Sequence, residues 1–326
     1  MKYVWMSLVG MVLLAGCGGG SSTEEGKDST VKVAVIPKGT SHAFWKSVEA
    51  GARKAGEAYG VEILWDGPQK ETETVRQRGI LESMVNVGAA GIAIAPLDEN
   101  AMAPPIQRVI DQEIPVVIFD SNVNAKGFVS FVATDNEEGG RIAGRRMVEK
   151  LGETQNAKLM IVKYGEGSGS TLRREKGFRE IVTDAGHDIV AEQFTDGTPE
   201  GALSVATNMM TGLVSEGTLQ LDGIFASNES TAMGLLRALD RLSNSGVDVS
   251  GTNVIGFDSS PDLVKAIESG LFDGVVVQNP ERMGYLAVES VVKTLNGEEV
   301  EEVQDTGAKL VTKEGLADPE LRKLVE

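Results

Sequence analysis

The feature that most constrains this chain is an alternation that starts at residue 31 and is kept to residue 278. A short β-branched run gives way to a helical stretch, and another run follows. The runs cover residues 31–36, 61–65, 91–95, 115–119, 129–133, 158–163, 188–194, 222–226, 253–257 and 274–278. Several are apolar at every position, as in Val116-Val117-Ile118-Phe119. Strands covered on both faces of a parallel sheet read this way, whereas a strand with one wet face alternates. Between the runs, Val48, Ala52, Ala55 and Tyr59 fall on one face of a helix over 44–59. The same spacing predicts helices over 72–87, 138–151 and 228–242. Ser259-Ser260-Pro261 reads as a helix start and Asn296-Gly297 as a stop. Strand and helix alternating at this length predict an α/β fold, and the number of strands exceeds one comfortable sheet. Two similar Rossmann-like, doubly wound lobes are expected.

In such sheets ligands bind beyond the carboxyl ends of the strands. That rule nominates residues 38–45, 95–98, 120–122, 134–136 and 164–174, with Asn228, Asp258 and Gln278. Asp120 follows Val116–Phe119 directly, Asn228 follows 224–227, Asp258 follows 254–257 and Gln278 follows 275–277. Each has a local explanation: Asn228 can cap the helix it begins, and Asp258 can form an Asx turn before Pro261. Together they line a polar cleft, with carboxylates that accept and amides that both donate and accept, a set suited to hydroxyl groups. His42-Ala43-Phe44-Trp45 adds aromatic faces that would pack on the C–H faces of a sugar ring, one of the two rings being the natural anchor of its helix in the core. Catalytic templates are missing from the sequence: there is no G-x-S-x-G, no H-E-x-x-H and no P-loop. Gly165-Glu166-Gly167-Ser168-Gly169-Ser170 has serine where a dinucleotide loop needs its third glycine, and reads as a plain strand-to-helix connection.

The N-terminus sets the compartment. Lys2 precedes an apolar core over residues 3–15, and Leu14-Ala15-Gly16-Cys17 looks like a bacterial lipobox. The run is too short for a permanent span of roughly 20 residues. Cys17, the only cysteine, is then the expected diacylglyceryl acceptor. Residues 1–16 would be removed, and residues 17–30 would form a polar tether reaching about 20 Å. The remaining composition is acidic, with 48 Asp and Glu against 31 Lys and Arg for a net charge of −17. Such a surface repels phosphate backbones, which argues against nucleic acid as a partner. Two histidines and one cysteine leave little for a zinc site, and no cofactor is expected.

Over residues 31 to 312 the chain resembles the periplasmic sugar-binding proteins of the ribose and galactose type, the substrate receptors of ABC importers. The segments that carry the resemblance are Thr40-Ser41-His42-Ala43-Phe44-Trp45, Val116-Val117-Ile118-Phe119-Asp120-Ser121, Ala133-Thr134-Asp135-Asn136, Arg174-Glu175-Lys176-Gly177-Phe178, Phe225-Ala226-Ser227-Asn228-Glu229 and Gly256-Phe257-Asp258, with Gln278 after the next strand. The resemblance implies the periplasmic binding protein-like I fold with three hinge crossings, near 134–135, 278–279 and 307–312. Residues 31–134 plus 279–311 would form one lobe and 135–278 plus 312–326 the other. By position, it implies that Phe44 and Trp45 sandwich a sugar and that Asp120 and Asp258 accept from its hydroxyls. Arg174, Asn228 and Gln278 would supply donor and amide groups, with Phe257 a ring beside the site and His42 at a position where the family has asparagine. Ser121 and Ala95 replace an arginine and an asparagine of ribose receptors, which would leave room for a larger sugar or polyol. The implied protein is a monomer in the cell envelope, held on a bilayer through Cys17. It delivers a small hydroxylated ligand to a membrane permease and catalyses nothing. A lipid-anchored sensor module for a kinase or chemoreceptor is the alternative. A repressor of the same two-lobe fold is disfavoured by the signal segment and by the lack of a basic helix-turn-helix.

Overall fold

The structure is a computed structural model that describes residues 30–325. The expected signal segment, Cys17 and the tether up to residue 29 lie outside the described residues. The first half of the chain runs β1 (Lys32–Ile36), α1 (Ala43–Tyr59), β2 (Glu62–Trp65), α2 (Thr74–Asn86), β3 (Gly91–Ile94), α3 (Ala103–Ile110), β4 (Val116–Phe119) and β5 (Ser130–Ala133). It continues through α4 (Asn136–Leu151), β6 (Lys158–Lys163), α5 (Gly169–Asp184), β7 (Asp188–Phe194) and α6 (Pro199–Thr211) to a small hairpin of β8 (Val214–Ser215) and β9 (Thr218–Leu219). Then follow β10 (Gly223–Ala226), α7 (Glu229–Asn244), β11 (Asn253–Phe257), α8 (Pro261–Ser269), β12 (Gly274–Gln278), α9 (Pro280–Leu295), β13 (Val303–Asp305), β14 (Ala308–Val311) and α10 (Pro319–Arg322).

Two six-stranded sheets result, ordered β13-β5-β4-β3-β1-β2 and β14-β12-β11-β10-β6-β7. All pairs are parallel except β12 with β14. This is the expected pair of doubly wound lobes. Successive residues of each strand serve opposite faces, as the pleat dictates. Val33, Val35, Val117 and Phe119 pack with α1 and α9, while Ala34, Ile36, Val116 and Ile118 pack with α2 and α3. In the second lobe Leu159, Ile161, Phe225 and Ile255 meet α4 and α5; Met160, Val162, Ile224 and Val254 meet α6, α7 and α8. Both faces of each sheet are therefore dry, which is why the strands read as unbroken apolar runs.

Strand order reverses between β1 and β3 in one sheet and between β6 and β10 in the other. Crevices open at such switch points. Helix starts beside them are fixed locally. Asn228 and Thr231 form a reciprocal capping box at α7, and Ser260 caps α8 ahead of Pro261. Helices α4 and α5 approach closely because Gly140 and Gly177 lack side chains: a Cβ at Gly140 would fall 2.0 Å from the Arg174 carbonyl oxygen. This contact sets the height of Arg174 over the second sheet.

One boundary differs from the expectation. The resemblance implies that residues 308–311 belong to the first lobe, but β14 pairs antiparallel with β12, from Val275↔Val311 to Gln278↔Ala308. The chain therefore enters the second sheet at Ala308, because the edge of β12 offers backbone groups that β14 satisfies. The third crossing is Thr306-Gly307, where Gly307 takes φ 78. It is bonded to the first crossing: the Thr134 hydroxyl donates to the Gly307 carbonyl at 3.1 Å, and the Thr306 amide donates to the Ala133 carbonyl at 3.0 Å.

Candidate functional site

The carboxyl ends of the two sheets face each other across a narrow cleft whose cavity volume is about 30 Å³. Its lining comes from both lobes. From the first come Lys38, His42, Phe44, Trp45, Glu71 and Asp120; from the second, Tyr164, Ser168, Ser170, Thr171, Arg174, Asn228, Glu229, Asp258 and Gln278. The lobes touch across it. The Tyr164 hydroxyl donates to Glu71 Oε2 at 2.7 Å, Lys38 Nζ donates to Ser170 Oγ at 3.1 Å, and the Glu99 amide donates to the Gly167 carbonyl at 3.1 Å.

Asp120 and Asp258 hold corresponding places, each one residue past a central strand. Both take left-handed backbone, φ 60 and φ 65, a conformation that aspartate tolerates better than most residues. This turn swings the carboxylate off the strand line and into the cleft. Asp120 Oδ2 lies 2.7 Å from Lys38 Nζ, and both side chains are almost fully buried. Lys38 also bonds to Ser121 Oγ, which in turn donates to Ser170 Oγ at 2.8 Å. The room expected beside Ser121 is thus filled by the Lys38 ammonium and Ser170. Ala95 adds no room either: it is buried in the first core, its carbonyl accepting from Gln77 Nε2 at 2.7 Å.

On the other wall, Asp258 Oδ1 accepts from Gln278 Nε2 at 2.7 Å, Oδ2 accepts from the Glu229 amide at 3.3 Å, and Oδ2 stands 3.6 Å from Arg174 Nη1. Burial pushes the Asp258 carboxyl above its usual range, against the opposing pull of Arg174 and Gln278. Arg174 is buried and further fixed by Asn136 Oδ1 at 2.7 Å and the Ser227 carbonyl at 3.1 Å. Its guanidinium lies 3.8 Å over the Phe257 ring. Phe257 itself is fully buried in the second core and does not line the cleft. Its place is beneath Arg174 rather than beside a ligand, because its side chain points from β11 into the α4–α5 layer.

The aromatic pair divides. Trp45 is 2% exposed, packs edge-on to Phe119, and donates its indole N–H to Glu71 Oε1 at 2.5 Å. Phe44 is half-buried and stands perpendicular to Trp45, with centroids 4.8 Å apart, on the cleft side. His42 occupies the N-cap position of α1 without capping it; its Nδ1 lies 3.0 Å from Glu71 Oε1. Burial alone would lower the imidazole, but the hydrogen bond and charge of Glu71 outweigh it and push His42 up to about 9. Burial likewise opposes ionisation of Glu71, yet His42, with Lys38 and Trp45, holds it down to about 2. Asn228 both caps α7, its Oδ1 accepting from the Thr231 amide at 3.1 Å, and lines the cleft.

Apart from Phe257, every residue singled out as ligand-binding meets at this one cleft, and the chain folds four more chemically important groups into it, Lys38, Glu71, Tyr164 and Glu229. Lys38 and Tyr164 lie in stretches nominated by their strand ends, though neither was picked out. Glu71 lies outside those stretches, in a polar loop after β2 that no sequence signal distinguishes. Two acceptors in the cleft, Glu229 Oε2 and Gln278 Oε1, are buried without a hydrogen-bond partner.

Comparison with known proteins agrees with this geometry. The family model described as periplasmic binding protein domain matches residues 33–299. The ribose import binding protein RbsB of Escherichia coli is 28% identical over 286 residues, covering 86% of this chain and 90% of its own length. A carbohydrate transporter solute-binding protein from Agrobacterium radiobacter, solved with D-arabinose, is 34% identical with a TM-score of 0.84, covering 92% of this chain and all of that one. A solute-binding protein from Agrobacterium vitis with bound D-fucose is 31% identical with a TM-score of 0.83, covering 90% of this chain and all of that one. These relatives bind and transport rather than catalyse. By the match over most of its length and by two sheets facing one cleft, the chain belongs to the periplasmic binding protein family, in its ribose and galactose type.

Proposed function

We propose that this protein is the lipid-anchored substrate-binding component of an ABC importer, which closes its two lobes on a monosaccharide or related polyol and presents it to the permease. The observation that carries the reading is the convergence on one cleft of an aromatic wall with carboxylates and amides from both lobes, two of whose acceptors have no partner. Phe44 offers its face to the C–H side of a ring, and Asp120 and Asp258 accept from hydroxyls. Arg174, Asn228 and Gln278 complete the hydrogen bonding, with Trp45 and His42 holding the first wall in place. Closure is a rotation about the crossings at 134–135, 278–279 and 306–307, of the hinge type. Cys17 carries the anchor outside the cytoplasm, where the family works.

A thermal-shift screen of the purified protein against pentoses, hexoses and polyols tests the binding claim. A ligand at 100 times its Kd adds about 2.7 kcal/mol. At roughly 2 °C per kcal/mol for a chain of this size, Tm should rise by about 5 °C. A panel in which no sugar or polyol raises Tm would remove the reading. Fatty-acid labelling of wild type and Cys17→Ser tests the anchor, and label retained by the variant would count against it.

A further inference from the structure

Asn136 is the first residue of α4, directly past the first crossing. It is buried and does not border the cleft. The helix does not need it as a cap, because Asp135 Oδ1 accepts from the Glu138 amide at 3.0 Å. Its side chain instead joins three parts of the molecule. Nδ2 donates to the Asp120 carbonyl at 3.4 Å and to the Thr134 carbonyl at 3.1 Å, and Oδ1 accepts from Arg174 Nε at 2.7 Å. Asp120 follows β4 in the first lobe, Thr134 lies in the crossing, and Arg174 stands on α5 in the second lobe.

A side-chain amide is planar, with its donors at one end and its acceptor at the other. The carbonyls that hold the nitrogen therefore aim the oxygen, and Arg174 depends on that aim. Its Nη1 donates to the Ser227 carbonyl at 3.1 Å and stands 3.6 Å from Asp258 Oδ2, so a guanidinium released at Nε would pivot about Nη1. Of the bonds made by Nδ2, the one to Thr134 is local and travels with the helix. The one to Asp120 passes from lobe to lobe and is the longer, so rotation about the crossing breaks it first. We propose that Asn136 is a positioning residue that couples the hinge to the cleft. Closure brings the Asp120 carbonyl onto Nδ2, fixes the amide plane and holds Arg174 toward the ligand; opening frees the plane to turn, and Arg174 with it. This rests on the reading of the cleft as a closing sugar site and adds how closure reaches the second lobe's guanidinium.

Titration calorimetry and stopped-flow kinetics on wild type, Asn136→Ala, Asn136→Asp, Arg174→Lys and the Asn136→Ala/Arg174→Lys double variant test it. The probe is whichever of D-ribose, D-arabinose, D-allose, D-galactose, D-fucose and xylitol binds wild type most tightly, and thermal denaturation without sugar checks that each variant is folded. Asn136→Ala should weaken binding by about tenfold or more, as expected when a hydrogen bond to a charged group is lost. The loss should lie in faster dissociation, with association changed by less than about twofold, since Arg174 is set only after the lobes meet. Asn136→Asp keeps an acceptor for Nε but turns an oxygen toward the two carbonyls, so it should not restore the affinity. Arg174→Lys has no Nε, so the double variant should bind within about twofold of Arg174→Lys alone. Binding like wild type by Asn136→Ala or Asn136→Asp, a loss confined to association, or losses that simply add in the double variant each overturn the inference and leave the sugar reading standing. A panel in which no sugar or polyol binds to wild type removes the sugar reading itself, and this inference with it.

Discussion

Replacing Asp120 by asparagine removes one charge from a buried pair and leaves the shape of the turn. Asparagine is the informative choice because φ is 60 there; alanine would add the cost of a left-handed backbone, about 1–2 kcal/mol. With asparagine at 120 the Lys38 ammonium, itself 3% exposed, keeps only neutral acceptors: the amide oxygen and the hydroxyls of Ser121 and Ser170. Breaking a buried pair from one side typically costs about 3–5 kcal/mol, whereas replacing both members by uncharged groups of similar size is often close to neutral. Both residues belong to the first lobe, at the ends of β1 and β4, so the pair itself is made whether or not the lobes meet, while Ser170 and the burial it adds come from the second lobe. At about 2 °C per kcal/mol, Asp120→Asn should lower the Tm of the unliganded protein by up to about 6–10 °C, the full fall being reached where the second lobe covers the pair. Lys38→Met should also destabilise, and the double variant should recover part of the loss, with a coupling of about 2–3 kcal/mol. Thermal denaturation of the four proteins without sugar measures this. A fall of less than about 2 °C for Asp120→Asn, or a double variant as unstable as the two singles combined, would refute the reasoning.

Two further outcomes are expected. Tyr164→Phe removes the hydroxyl that bridges to Glu71 across the cleft, so ligand affinity should fall by about tenfold with Tm unchanged, since the bond exists only when the lobes meet; titration with the screened sugar checks it, and equal affinity would show that the bridge does not hold the closed form. The His42–Glu71 pair gives stability a plateau in pH. Its histidine share is complete below 6.5 and is lost as pH rises through about 9, and its glutamate share is complete above 4.5 and is lost as pH falls through about 2. Denaturation midpoints for wild type and Glu71→Gln should therefore differ most between about pH 4.5 and 6.5 and converge on either side; a constant difference across the range would discount the pair.

The strands and the strand-end polar residues were readable because burial on both faces forces an unbroken apolar run, and the first polar residue after it marks the sheet's edge. Asp120, Asn228, Asp258 and Gln278 each stand at such a transition. The edge strands β13 and β14, reading Val303-Gln304-Asp305 and Ala308-Lys309-Leu310-Val311, carry no such signal, since an edge is half solvated and polar residues are tolerated there. The third crossing, at 306–307, therefore lies at the near edge of the stretch 307–312 that the resemblance implies. Ser121 was readable as a lost arginine, but not that Lys38 would supply a charge in the same space, because β1 and β4 meet Lys38 and Asp120 only after the sheet is assembled. Glu71 is the extreme case: its importance arises from the histidine, indole and phenol that two other segments bring to it.

The bonded crossings have a mechanical consequence. Three strands of chain passing independently between two bodies would permit sliding and twisting as well as bending. Here the first and third are tied side by side through Thr134, Thr306 and Gly307, and the link from β13 to β14 is only two residues long. On the proposed closure that ribbon would act as a flexure, stiff to shear and compliant about one axis, so that a single angle would describe the lobes. On the proposed function, a permease reading the protein's surface would then sense one variable, the angle at which the sugar holds the lobes.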